Sequence, residues 1–99
     1  MIDDMIDTGG TVAKTAEVLL KEDAADVVVA ATHGVLSGAA SERLARCGAR
    51  EVIFTDTLPI PDEKRVERMT VLSIAPLLAR AIHEVFDDGS VTSLFDGNA

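Results

Sequence analysis

The sequence predicts an α/β fold, a doubly wound and mostly parallel sheet, and three observations predict it. Short apolar runs alternate with longer stretches in which apolar residues recur at helical spacing. The run at 27–31, VVVAA, is continuous rather than alternating, which suits a strand covered on both faces, as strands of parallel sheets are. Hydrophobic residues make up 47% of the chain, yet it holds three Phe and no Trp or Tyr. Its core must therefore be built from Ala, Val, Leu and Ile, which suits helices layered on a sheet.

Each element follows from local pattern. Val12, Ala13, Ala16, Leu19 and Leu20 fall on one face of a helix over 11–22, with Lys14, Glu17 and Lys21 opposite. Residues 27–31 form a central strand. After Ser37 and Gly38, Ala40, Leu44 and Ala45 mark a second helix, which Gly48 can end in a left-handed cap. The next strand is 51–55, EVIFT. Pro59 and Pro61 break regular structure, and the charged stretch 62–65 reads as a solvated loop or short helical turn. A short strand at 70–72 leads to Ser73, a candidate cap for a helix with Ile74, Leu77, Leu78, Ala81, Ile82 and Val85 on one stripe. Asp88 and Gly89 mark a turn before the tail at 90–94. Only Met1 and Ile2 precede the acidic segment, so the first strand reads as truncated and the chain, one domain over 1–99, as a piece of a longer protein.

Charge narrows the function. A formal net charge of −8 disfavours nucleic-acid backbones and anionic membranes, both of which need a basic surface. The single Cys47 excludes an internal disulfide and is expected to be buried and idle. With neither an apolar run of membrane-spanning length nor a secretory leader, a cytoplasmic location is expected.

The chemistry concentrates at 3–11, DDMIDTGGT. A turn from a strand into a helix can present backbone N–H groups to an anion. Gly9 and Gly10 allow close approach, and the hydroxyls of Thr8 and Thr11 add neutral donors. Yet Asp3, Asp4 and Asp7 precede this turn, with no basic residue before Lys14. An extended ligand resolves the conflict, with its phosphate at the glycines and its hydroxyls, or a bridging Mg²⁺, toward the carboxylates. Ribose 5-phosphate has that shape. A calcium loop fails on spacing, and a phosphatase nucleophile would need Asp-x-Asp-x-Thr. His33 and Asp56 end strands on the same sheet edge and could line a pocket or serve structure; His83, beside Glu84 on a helix, reads as a surface residue.

The segment 3–11 resembles, without a gap, the phosphoribosyl pyrophosphate loop of type I phosphoribosyltransferase-like proteins. Four further stretches, 31–40 (ATHGVLSGAA), 55–61 (TDTLPIP), 72–79 (LSIAPLLA) and 90–95 (SVTSLF), are similar to the ribose-phosphate pyrophosphokinases, in that family's order. The resemblance implies the carboxyl-terminal, phosphoribosyltransferase-like domain of such an enzyme, without its upstream ATP-binding domain. It implies that Asp7, Thr8, Gly9, Gly10 and Thr11 hold the 5-phosphate, while Asp3 and Asp4 face the ribose hydroxyls and Mg²⁺. Ser90, Thr92 and Phe95 would fall at a regulatory nucleotide site between subunits of a homo-oligomer; the same tail could be a plain edge strand. The implied reaction moves pyrophosphate from ATP to ribose 5-phosphate, with no catalytic residue assigned here and no turnover expected of this piece alone. Two alternatives stay open: a nucleobase phosphoribosyltransferase, and a non-catalytic sugar-phosphate-binding module.

Overall fold

A computed structural model describes residues 1–87 and 89. In chain order these form β1 (Ile2–Ile6), α1 (Gly10–Lys21), β2 (Val28–Gly34), α2 (Ala40–Arg46), β3 (Glu51–Thr55), a 3-10 turn (Asp62–Lys64), β4 (Met69–Leu72) and α3 (Ala75–Phe86). The strands make one four-stranded sheet in the order β1-β2-β3-β4. Every pairing is parallel, with Asp3 beside Ala31, Ala31 beside Phe54 and Phe54 beside Val71.

This order corrects the expected double winding. Right-handed crossovers that always step the same way along a sheet deliver their helices to one face, and α1 and α2 do pack against each other. They cover a core of Val29, Leu36, Leu44, Val52 and Phe54, with Ala16 and Ala40 letting the backbones approach. Winding reverses only where strand order reverses, and among the described residues it never does. The opposite face leaves Ile2 and Leu72 exposed and Ala30 and Ile53 only half-buried. Helix α3 buries none of its residues, and Leu78, Ile82, Val85 and Phe86 of its apolar side stand in solvent. Among the described residues no helix is long and apolar enough to cross a membrane.

β1 spans five residues, an ordinary strand length, because the chain pairs with β2 from its first residue: the Met1 amine donates to the Val28 carbonyl at 2.9 Å, and the Ala30 N–H to the Met1 carbonyl at 2.8 Å. Asp3 and Asp4 thus belong to a strand rather than to the loop. Strand β2 runs past the expected 27–31 because β1 continues to pair with it through Met5 and His33, then Ile6 and Gly34. Gly48 adopts the expected left-handed conformation, with φ of 84°. Ser73 accepts from the Ala75 N–H at 3.2 Å, but Asp56 accepts the preceding donor, the Ile74 N–H, at 2.8 Å.

Gly34 sits where the end of β2 meets the core. A Cβ there would lie 3.1 Å from both Phe54 Cδ1 and Ile60 Cδ1. Gly34→Ala is expected to cost about 1–3 kcal/mol by overpacking. Urea unfolding checks this, and an unchanged midpoint would show that Ile60 gives way freely.

Candidate functional site

The turn from β1 into α1 is built around Gly9, which precedes the helix with φ of 77°, a conformation that glycine adopts without strain. The first helical bond joins the Ala13 N–H to the Gly9 carbonyl at 2.9 Å, so the N–H groups of Gly10, Thr11 and Val12 lie ahead of the helix's own bonding. No side chain of the preceding residue caps them. They are joined there by the positive end of the helix dipole, worth roughly 0.3–1 kcal/mol to an anion at an exposed site.

The carbonyl side of the same turn is held from outside. The Ile6 carbonyl accepts the N–H groups of Val35 and Leu36 at 3.0 and 3.1 Å, and the Asp7 carbonyl accepts that of Ser37 at 2.8 Å. The Thr8 carbonyl accepts Arg43 Nη1 at 2.8 Å, from α2. Leu36 anchors this support, since its side chain is buried although its backbone is left-handed, with φ of 55°.

On the inner side lies a cavity of about 330 Å³, lined by Asp3, Met5, Ile6 and residues 7–12. Of the expected site residues, Asp3, Asp7, Thr8, Gly9, Gly10 and Thr11 line it and Asp4 does not. As consecutive strand residues, Asp3 and Asp4 point to opposite faces of the sheet. Both carboxylates also bond locally: Asp3 Oδ1 accepts the Asp4 N–H and Asp4 Oδ1 the Met5 N–H, each at 2.8 Å. Of the two residues expected to face Mg²⁺, Asp3 lines the cavity and Asp4 does not. Among the described residues no three His, Cys, Asp or Glu side chains gather as a metal site.

The remaining candidates make local contacts. His33 Nδ1 hydrogen-bonds Thr57 Oγ1 at 2.8 Å, and Thr55 and Thr57 both donate to the Thr32 carbonyl, tying the end of β2 to the loop after β3. Asp56 caps α3. His83 Nε2 lies 2.9 Å from the Asp87 carboxylate on the helix surface. Cys47 is buried, its thiol donating to the Leu44 carbonyl at 3.2 Å. Ser90, Thr92 and Phe95 lie outside the described residues. Two parts of the site were not foreseen, the 35–37 connection and Arg43. Arg43 is a charged residue on a short exposed helix face, and the sequence carries no sign of its partner 35 residues earlier.

A family model, the phosphoribosyl synthetase-associated domain, matches residues 1–96. The chain belongs to that family. As a phosphoribosyl synthetase-associated domain it is 64% identical over its whole length to the ribose-phosphate pyrophosphokinase of Mycobacterium tuberculosis (strain ATCC 25618 / H37Rv), of which it covers 30%. It is 64% identical over 96 residues to that of Bifidobacterium longum, covering 97% of this chain and 28% of the relative. Its fold matches the crystal structure of phosphoribosylpyrophosphate synthetase from Mycobacterium smegmatis with a TM-score of 0.84 and 61% identity, over 89% of this chain and 30% of that one.

The chain thus spans about 30% of the length of these curated relatives. The expected carboxyl-terminal placement, and with it the reading of the chain as a carboxyl-terminal fragment, is corrected by the same matches: what they support is the synthetase-associated domain, over residues 1–96. A loop motif specifies the chemistry of a domain, and it carries no information on where that domain stands in a longer chain.

Proposed function

We propose that this associated domain holds ribose 5-phosphate for a ribose-phosphate pyrophosphokinase, presenting the 1-hydroxyl of the sugar to ATP. The observation that carries this reading is the cavity at the β1–α1 turn, whose lining brings Thr8, Thr11 and the uncapped start of α1 together with Asp3. The phosphate accepts bonds from the turn, and ribose hydroxyls donate to Asp3. A volume of about 330 Å³ lies at the small end of ligand pockets, which fits a pentose phosphate. Asp7 shapes the turn through its carbonyl, held by Ser37, while its carboxylate stays exposed.

Magnesium fits the donor type, because a hard cation that keeps several waters takes one or two carboxylates together with substrate oxygens. Asp3 would hold it, directly or through water. When bound, Mg²⁺ neutralises charge on the transferring phosphoryl oxygens. In the parent reaction the 1-hydroxyl oxygen attacks the β-phosphorus, the bridge to the α-phosphate breaks and AMP leaves. In this reading ATP is held by the remaining length of the parent, a cytoplasmic homo-oligomer, with Ser90, Thr92 and Phe95 at its regulatory nucleotide site. The strand, the paired acids and the Thr-Gly-Gly-Thr turn support a type I phosphoribosyltransferase-like ancestry for the sheet.

Calorimetric titration of the chain with ribose 5-phosphate and Mg²⁺ tests the reading. Binding is expected without release of AMP from added ATP. Thr11→Ala should weaken binding roughly tenfold, as loss of a bond to a charged group would, and Asp3→Ala should also weaken it. Asp62→Ala, on the exposed 3-10 turn, should leave it unchanged. Equal effects of all three, or no binding by the unmodified chain, would sink the assignment.

A further inference from the structure

We propose that Arg43 is a positioning residue for this cradle: by holding the Thr8 carbonyl from outside, it aims the Gly9 N–H at the bound phosphate. The inference rests on the ribose 5-phosphate reading above. Among the described residues no peptide is cis, and in a trans peptide the C=O and the following N–H point in opposite directions. Whatever grips a carbonyl on the outer side of the turn therefore fixes the next N–H toward the inner side. Three successive carbonyls are gripped in this way. Those of Ile6 and Asp7 are held by backbone N–H groups of residues 35–37, so their orientation follows from the fold. That of Thr8 is held by a side chain, Arg43.

The Thr8–Gly9 peptide is also the one most able to turn over. A peptide flip changes ψ of Thr8 and φ of Gly9 together, and glycine accepts either sign of φ at little cost. Without a brace, the Thr8 carbonyl could rotate into the cavity, replacing a donor with an acceptor that repels phosphate. A guanidinium suits the task because it is charged at any working pH and presents fixed donors. Its bond is exposed to water, so the effect is graded rather than absolute.

The test uses the 99-residue chain carrying Arg43→Met, Arg43→Gln or Arg43→Lys. Affinities for inorganic phosphate and for ribose 5-phosphate are measured by calorimetry, and backbone amide resonances are followed by NMR before ligand is added. Arg43→Met is expected to weaken both ligands by the same factor, roughly three- to tenfold, the range of one net hydrogen bond. The Gly9 amide should shift or broaden while the Asp7 and Thr8 amides stay in place. Gln and Lys, which keep a donor, should recover part of the affinity. If Arg43→Met binds as the unmodified chain does, or if Gln proves as weak as Met while Lys restores binding fully, the brace is overturned, in the second case in favour of charge alone. An unmodified chain that binds neither ligand overturns the functional reading and the inference together; binding that is indifferent to Arg43 overturns the inference alone.

Discussion

Replacing Phe54 with alanine is expected to remove about 3–5 kcal/mol of folding stability, the usual cost of emptying a large buried aromatic site. Phe54 is fully buried, at 0% exposure, on β3, which has a neighbouring strand on each side. It reaches across to the end of β2, where its ring lies against Gly34. Of the other two phenylalanines, Phe86 is 86% exposed and Phe95 lies outside the described residues. The small aliphatic side chains around Phe54 cannot swing in to fill so large a void. Domains of this size have only about 5–15 kcal/mol to lose, and one sheet face and α3 add little burial here. Urea unfolding of the variant should therefore show a transition moved close to zero denaturant. A loss below about 1 kcal/mol would mean that the core closes over the gap, contrary to the packing described.

Gly9→Val should produce the largest change in ligand binding. A β-branched residue at φ of 77° carries about 1–2 kcal/mol of backbone strain, which the chain relieves by rotating the turn. That rotation would misdirect the N–H groups on which the cradle depends, so affinity for ribose 5-phosphate should fall by roughly tenfold or more. Gly10→Ala separates strain from access. Apart from its chain neighbours and its own helix backbone, nothing among the described residues lies within 4 Å of a Cβ built at Gly10, so folding should be unchanged, and any loss of affinity reports a ligand that approaches the backbone there. Thermal unfolding and calorimetry on the two variants check both statements. A Gly9→Val chain with undiminished affinity would remove the turn from the site.

Much of the secondary structure was legible because it depends on near neighbours. α1 begins within one residue of its expected start and β3 matches 51–55, since helical spacing and a β-branched run are local properties. The left-handed cap at Gly48 was legible for the same reason. Boundaries failed where pairing across the sheet extended an element: β2 through His33 and Gly34, and β1 through both acidic residues. The turn ahead of α1 was legible too, because its two adjacent glycines carry conformational freedom in their own sequence. That Asp3 lines the cavity and Asp4 does not was not legible, as it follows from how β1 sits against the turn.

By itself, then, the sequence determined that this is a parallel α/β chain with a glycine turn ahead of its first helix, because spacing, β-branching and glycine act over a few residues. The tertiary structure alone decided the rest. Whether the sheet is wound on one face or two depends on strand order, which local pattern does not encode. That Asp3 rather than Asp4 lines the cavity depends on strand register. And the brace from Arg43 to the Thr8 carbonyl joins residues 35 positions apart, brought together only when α1 and α2 settle side by side on the sheet.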